Sequence, residues 1–233
     1  MARLLYNPIM GTLYVVATPI GNLSDITLRA LEVLKEVGLI LAEDTRHTGI
    51  LLKHFSIKKP LSSFHEYNEQ IKEPEMVQKL KEGVNIALVS DAGTPTLADP
   101  GFKLVRTAIK EGINVVSIPG ASAVLTALTS SGLPTDSFSF LGYVPKKEGK
   151  RREFYEKIRK LLEEIKTTVI FFESPHRIDQ TLAQLSNIFP ERNLVLAREL
   201  TKINEQVLRG KVGDIYKALS TRKIKGEITL ILR

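Results

Sequence analysis

Apolar residues in this chain come in two rhythms. Short apolar runs occur at Leu13–Ala17, Leu39–Ala42, Ile86–Val89 and, interrupted only by Ser117, Val115–Ile118. Runs of this length, rich in β-branched and aliphatic residues, read as strands buried on both faces, as in parallel sheets. Between them apolar residues recur at helical spacing. Leu28, Leu31 and Leu34 predict a helix opened by Ser24 or Asp25 as N-cap. Further helices are expected from the Glu43–His47 segment through Phe55, over 75–82 with Gly83 as its stop, and over 100–110. The last of these is expected to bury Phe102, Val105 and Ile109. Residues 60–64 read as one more short strand, and a helix follows the 114–118 strand through Thr129. Strand and helix therefore alternate over 12–120, which specifies a parallel sheet with crossover helices on its faces.

The alternation pauses at the turn-rich segment Ser131–Asp136, a candidate linker. Beyond it the pattern predicts strands at 138–141, 167–172, 193–197 and 227–232. An exposed charged helix is expected over 151–165, a helix burying Ile178, Leu182 and Leu185 over 176–188, and another over 213–219. The expected architecture is two α/β domains, 11–130 with a parallel sheet and 131–233 with a mixed sheet, and a ligand cleft between them. Residues 1–10 lack the apolar core and cleavage site expected of a signal peptide.

Three of the apolar runs lead into small-residue turns: Thr18-Pro19-Ile20-Gly21, Asp91-Ala92-Gly93-Thr94-Pro95 and Pro119-Gly120-Ala121-Ser122. Each also reads as a simple turn. Together they describe one edge of a parallel sheet, where open α/β folds bind ligands. Composition narrows the ligand. The 233 residues carry no cysteine and a net charge of +7, which excludes thiolate chemistry and favours a polyanionic partner. The charge is uneven: five of the seven residues from Lys146 to Arg152 are basic, and Arg222, Lys223 and Lys225 form a smaller cluster. No stretch approaches the length of a membrane span, so a cytoplasmic protein is expected.

The usual nucleotide signatures are absent. No G-x-G-x-x-G follows a strand, Gly210-Lys211 is followed by Val212 rather than Ser or Thr, and His65-Glu66 lacks the second His of a zinc-peptidase helix. With four histidines and no cysteine, no metal site is expected. Titratable residues gather at other strand ends: Glu43, Asp44, Arg46 and His47; Glu173, His176 and Arg177; Arg198, Glu199 and Lys202. Such clusters serve either as caps and ion pairs or as groups that move a proton. Ser174-Pro175 equally reads as a helix start with Pro at its first position.

In order and spacing these pieces resemble one family. Thr18–Leu23 with Thr27–Leu31, Ala42–His47, Phe64–Glu69, Val89–Pro95, Ser117–Ser122, Glu173–Arg177 and Ala197–Lys202 are similar to the ribosomal RNA small subunit methyltransferase I family of the tetrapyrrole methylase superfamily. The resemblance implies S-adenosylmethionine as cofactor, held in the interdomain cleft. It implies transfer of its methyl to the ribose 2′-oxygen of a decoding-centre cytidine in 16S rRNA or the small ribosomal subunit, and a homodimer. It maps cofactor contacts to Pro19, Ile20, Asp91, Gly93, Pro95, Ala121 and Ser122, with Phe172, Leu200 and the Lys225-Gly226-Glu227 turn from the second domain. Many members continue past the last strand, whereas this chain ends at Arg233.

The chemistry asks for a general base, and Glu43, Asp44, His47 and Glu173, together with Glu66 and Glu199, stay open and unranked. Arg46, Lys146, Lys147, Lys150, Arg151, Arg152 and Arg177 are the candidate RNA contacts. Two alternatives remain: a corrin-precursor methyltransferase of the same fold, and a non-catalytic RNA-binding protein.

Overall fold

The computed structural model describes residues 10–221 and 223–233. Residues 1–9, and Arg222 of the smaller basic cluster, lie outside them. The chain divides into two compact units that meet at Ser122/Ala123.

The first unit holds strands β1 (Thr12–Val16), β2 (Leu39–Ala42), β3 (Leu61–Ser63), β4 (Ile86–Val89) and β5 (Asn114–Ile118). They form one sheet in the order β3-β2-β4-β1-β5, with every pairing parallel. Helices α1 (Leu28–Glu36), α2 (Thr45–His54), α3 (Glu69–Lys81) and α4 (Phe102–Lys110) connect them. Side chains alternate along each strand, so the sheet feeds two separate cores. Val16, Ile40, Ala42, Ala87 and Val89 pack with Leu34 and Leu52 on one face. Leu13, Leu41, Ile86 and Leu88 pack with Met76, Leu80 and Leu104 on the other.

Two helices differ from their expected form. A single 3-10 turn, Leu23–Asp25, capped by Asn22, takes the place expected for the helix start. The N-cap of α1 is Thr27, whose hydroxyl accepts the Ala30 amide at 3.1 Å, and Leu28 is exposed. In α4 the buried stripe is Leu104 and Ala108, while Phe102 and Ile109 face solvent. That helix carries two apolar stripes, and only packing on the sheet chooses between them. Helix α3 starts earlier than expected and contains Pro74 in its second turn, where the missing N–H leaves the Gln70 carbonyl without its helical partner.

The second unit begins with α5 (Ala123–Ser131) and continues with β6 (Phe138–Tyr143), α6 (Glu148–Lys160), a π turn (Leu161–Ile165), β7 (Thr168–Glu173), α7 (Ile178–Ile188), β8 (Asn193–Arg198), β9 (Gln206–Lys211), α8 (Val212–Leu219) and β10 (Ile228–Leu232). Its sheet runs β6-β7-β10-β8-β9, with β6 and β7 parallel and the other pairs antiparallel. One face forms a core of Val169, Phe171, Leu194, Leu196 and Leu230 with Ile158, Leu182 and Ile215. Helix α5 packs against β10 and β7 and so belongs with this sheet rather than with the residues before it. Strand β9 has no counterpart in the hydrophobic pattern. It is an edge strand with half-exposed residues, and its pairing with β8 supplies the order that the pattern lacks. Helix α6 is charged as expected but buries Arg151, Phe154, Tyr155 and Ile158. Among the described residues no helix is long and apolar enough to cross a membrane.

Candidate active site

In the first unit the strand order places the ends of β2, β4, β1 and β5 side by side. The three small-residue loops are tied into one edge. Thr18 and Gly93 exchange backbone hydrogen bonds of 2.9 and 3.0 Å, and the Thr18 hydroxyl donates to the Ser90 carbonyl. The Thr94 hydroxyl donates to the Ala121 carbonyl at 3.2 Å, and Thr27 donates to that of Pro119. Pro19, Ile20, Gly93, Pro95 and Ser122 are buried, while Asp91 and Ala121 are half-exposed. Gly93 has φ +79, where only glycine is unstrained. Downstream of it Thr96 and Ala98 also have positive φ, a conformation that costs an L-residue about 1–3 kcal/mol and recurs at ligand-holding loops.

The carboxylates at this edge are not equivalent. Asp91 Oδ1 accepts the Asp44 amide at 3.0 Å, which locks the ends of β4 and β2 together. Asp44 caps α2 through the Arg46 amide and takes the Arg46 guanidinium on both oxygens, the shortest bond being 2.6 Å. That hydrogen bonding holds its carboxyl well below the usual carboxylate range. Glu43 sits one residue away in the opposite environment. Burial, and then the nearby Asp91 charge, push its carboxyl above the ordinary 4.5. Two neighbouring acids are pushed apart in this way: Asp44 is favoured in its ionised form as a cap, while the environment of Glu43 favours its protonated form more than usual. His47 lies exposed on the first turn of α2.

Sequence reasoning weighed His65 only as a zinc ligand and as part of the family motif, although it lies just past β3, the strand beside β2. Asn68 Oδ1 accepts the His65 amide, so the Asn68 NH₂ faces the ring and donates to His65 Nε2 at 3.0 Å. The ring proton then belongs on Nδ1, which is buried without a hydrogen-bond partner. The position of His65 beside a strand end was the available signal.

In the second unit Glu173 is fully buried at the end of β7. It accepts the Ser174 amide at 2.6 Å, the Thr181 hydroxyl at 2.5 Å and the Arg177 guanidinium at 2.7 Å. Arg177 in turn donates to the Val144 carbonyl at 2.8 Å. These contacts tie the entry to α6 to the entry to α7. Leu200 is buried in a strained turn in which Glu199 and Thr201 have positive φ. Glu199 accepts the Glu227 amide, and Lys202 lies 3.1 Å from both Glu199 and Glu227. Burial opposes ionisation of Glu199, but the Glu227 amide and the Lys202 ammonium outweigh it and leave its carboxyl below the ordinary value. Lys146, Lys147, Lys150 and Arg152 are exposed, whereas Arg151 is buried and donates to the Lys146 carbonyl. Arg46 is exposed but paired to Asp44. Among the described residues no group of three or more His, Cys, Asp or Glu is placed to hold a metal ion.

The model of the tetrapyrrole (corrin/porphyrin) methylases matches residues 12–216. Ribosomal RNA small subunit methyltransferase I of Halalkalibacterium halodurans is 49% identical over 222 residues, 95% of this chain and 75% of that protein. The enzyme of the same name from Pasteurella multocida is 49% identical over 229 residues, 97% of this chain and 80% of its own. Among solved structures, uroporphyrin-III C-methyltransferase of Thermus thermophilus, complexed with S-adenosyl homocysteine, superposes with a TM-score of 0.65. It is 18% identical, with 95% of this chain and 97% of that one covered, a likeness of fold.

Proposed function

Because the chain belongs to the tetrapyrrole methylase family, among its ribosomal RNA small subunit methyltransferases I, we propose that this methyltransferase uses S-adenosylmethionine to methylate the ribose 2′-oxygen of a cytidine in the decoding centre of 16S rRNA, acting as a cytoplasmic homodimer. The observation that carries the chemistry is Glu43, a carboxyl held above its ordinary value at the edge formed by the three bare loops. A ribose hydroxyl is a poor nucleophile until its proton leaves, and a carboxylate so placed can take it.

The loops fit a methyl donor of this kind. A Cβ at Gly120 would lie 2.9 Å from the Ala17 Cβ, and one at Gly93 would lie 3.2 Å from the Ile20 Cγ2. Both glycines therefore let the loops pack directly on one another, which fixes the edge that would receive the ligand. The carboxylates of Asp91 and Glu43 suit a ligand with cationic groups. When bound, S-adenosylmethionine supplies a methyl group already activated on its sulfonium. The residues of the chain then have three tasks. Pro19, Ile20, Gly93, Ala121 and Ser122 bind and orient, Asp91 holds the edge together and receives polar groups, and Glu43 accepts the hydroxyl proton. Positioning supplies most of the rate in such a transfer. Lys146, Lys147, Lys150 and Arg152 meet the phosphates of the RNA, and this binding weakens with added salt.

Two measurements test this reading. With labelled S-adenosylmethionine, label is expected on the 16S rRNA of small ribosomal subunits from a strain lacking the modification, at a ribose 2′-oxygen. Label on corrin precursors alone would overturn the RNA reading. Asp91→Ala is expected to weaken S-adenosylmethionine binding at least tenfold by calorimetry, with a melting curve to confirm folding. Unchanged affinity would remove Asp91 from the cofactor site.

A further inference from the structure

Strand β6 does not end as it begins. Its register against β7 pairs Phe138 with Thr168 and Phe140 with Ile170, then slips so that Tyr143 pairs with Phe172. The slip includes Gly142 at φ +69, a glycine conformation suited to a bulge. Partners across a ladder point to the same face, so the bulge brings Tyr143 onto the side that already carries Phe138, Phe140 and Phe172. The Phe172 ring lies 4.9 Å from that of Phe140 and 5.3 Å from that of Tyr143, both edge-on. Tyr143 remains 55% exposed and Phe138 42%. These rings lie at the β6 edge of the sheet, on the face opposite the core that holds Val169 and Phe171.

The exposed cations follow directly: Lys146, Lys147, Lys150 and Arg152. Their spacing from the rings is held by two partly buried contacts, Arg177 to the Val144 carbonyl and Arg151 to the Lys146 carbonyl. Adjacent aromatic faces and cations are what a single-stranded nucleic acid requires, stacking for the bases and charge for the backbone. A duplex offers the cations its phosphates but shows the rings no open base.

We propose that Tyr143, supported by Phe140 and Phe172, is a stacking platform for an unpaired base of the RNA, so that this enzyme engages its substrate as a single-stranded segment. The inference rests on the RNA reading above. Phe172 is also a candidate cofactor contact, so the test must separate a base of the RNA from the adenine of the cofactor.

The test measures binding of the full chain to a fluorescent single-stranded oligoribonucleotide, to the same sequence as a duplex, and to S-adenosylhomocysteine. Tyr143→Ala is expected to weaken single-strand binding roughly tenfold, in line with the measured worth of one base–aromatic stack. Tyr143→Phe should stay within about twofold of the parent, and duplex and S-adenosylhomocysteine affinities should not change. Lys146→Ala should weaken both RNAs alike and flatten the salt dependence. Equal loss on single strand and duplex, or no loss on either, would overturn the platform while leaving the RNA reading intact. Loss confined to S-adenosylhomocysteine would assign the ring to the cofactor and overturn the platform. Failure of the parent chain to bind any RNA would overturn both readings.

Discussion

Glu43→Gln is expected to lower kcat for RNA methylation by roughly a hundred- to a thousandfold, within the range that general bases contribute. The amide keeps the shape of the side chain but cannot take a proton. The same assignment fixes the pH dependence. Glu43 acts as a base only when ionised, and burial with the Asp91 charge lifts its carboxyl above the ordinary 4.5. Activity should therefore fall as the pH drops through that raised value, so the acid limb of kcat/KM lies above where an ordinary glutamate would put it. In Asp91→Asn, which removes the second cause of the shift, the limb should move down. A Glu43→Gln enzyme within threefold of the parent, or an acid limb that Asp91→Asn leaves in place, would dismiss Glu43 as the base.

The second large effect concerns stability. Glu173 is fully buried and takes three donors, among them an arginine only 21% exposed. Glu173→Ala leaves the Thr181 hydroxyl, the Ser174 amide and the Arg177 guanidinium without their acceptor. Removing one partner of a buried pair costs about 3–5 kcal/mol, and partial rehydration of Arg177 places this case near 3. For a chain of this size the melting temperature should fall by roughly 6–12 °C. Arg177→Lys should recover part of what Arg177→Ala loses. A melting temperature within 2 °C or so of the parent for Glu173→Ala would show that the network contributes nothing.

These expectations depend on distinctions that residue identity alone does not make. Glu43 and Asp44 are neighbours of nearly the same chemistry. One becomes an α2 cap because Arg46 follows it on the first helical turn; the other is pushed up by burial and by Asp91, which arrives from β4, more than forty residues along the chain. The basic segment divides in the same way. Lysines 146, 147 and 150 keep their charge in solvent, while Arg151 and Arg177 spend theirs on the backbone and on Glu173.

What the sequence determined by itself is the part written in local order. Apolar runs of four or five residues and the glycines and prolines after them specify parallel strands and bare loops, and these are properties of neighbours along the chain. The edge on which the candidate cofactor contacts of the first unit gather follows from them. Only the tertiary structure decided which stripe of α4 is buried, that α5 belongs with the second sheet, that half-exposed residues 206–211 form a strand, and that a bulge at Gly142 lays Tyr143 beside Phe172. Each of these is settled by a partner distant in sequence, through packing against a sheet or a ladder, and a pattern read along one chain carries no record of that partner.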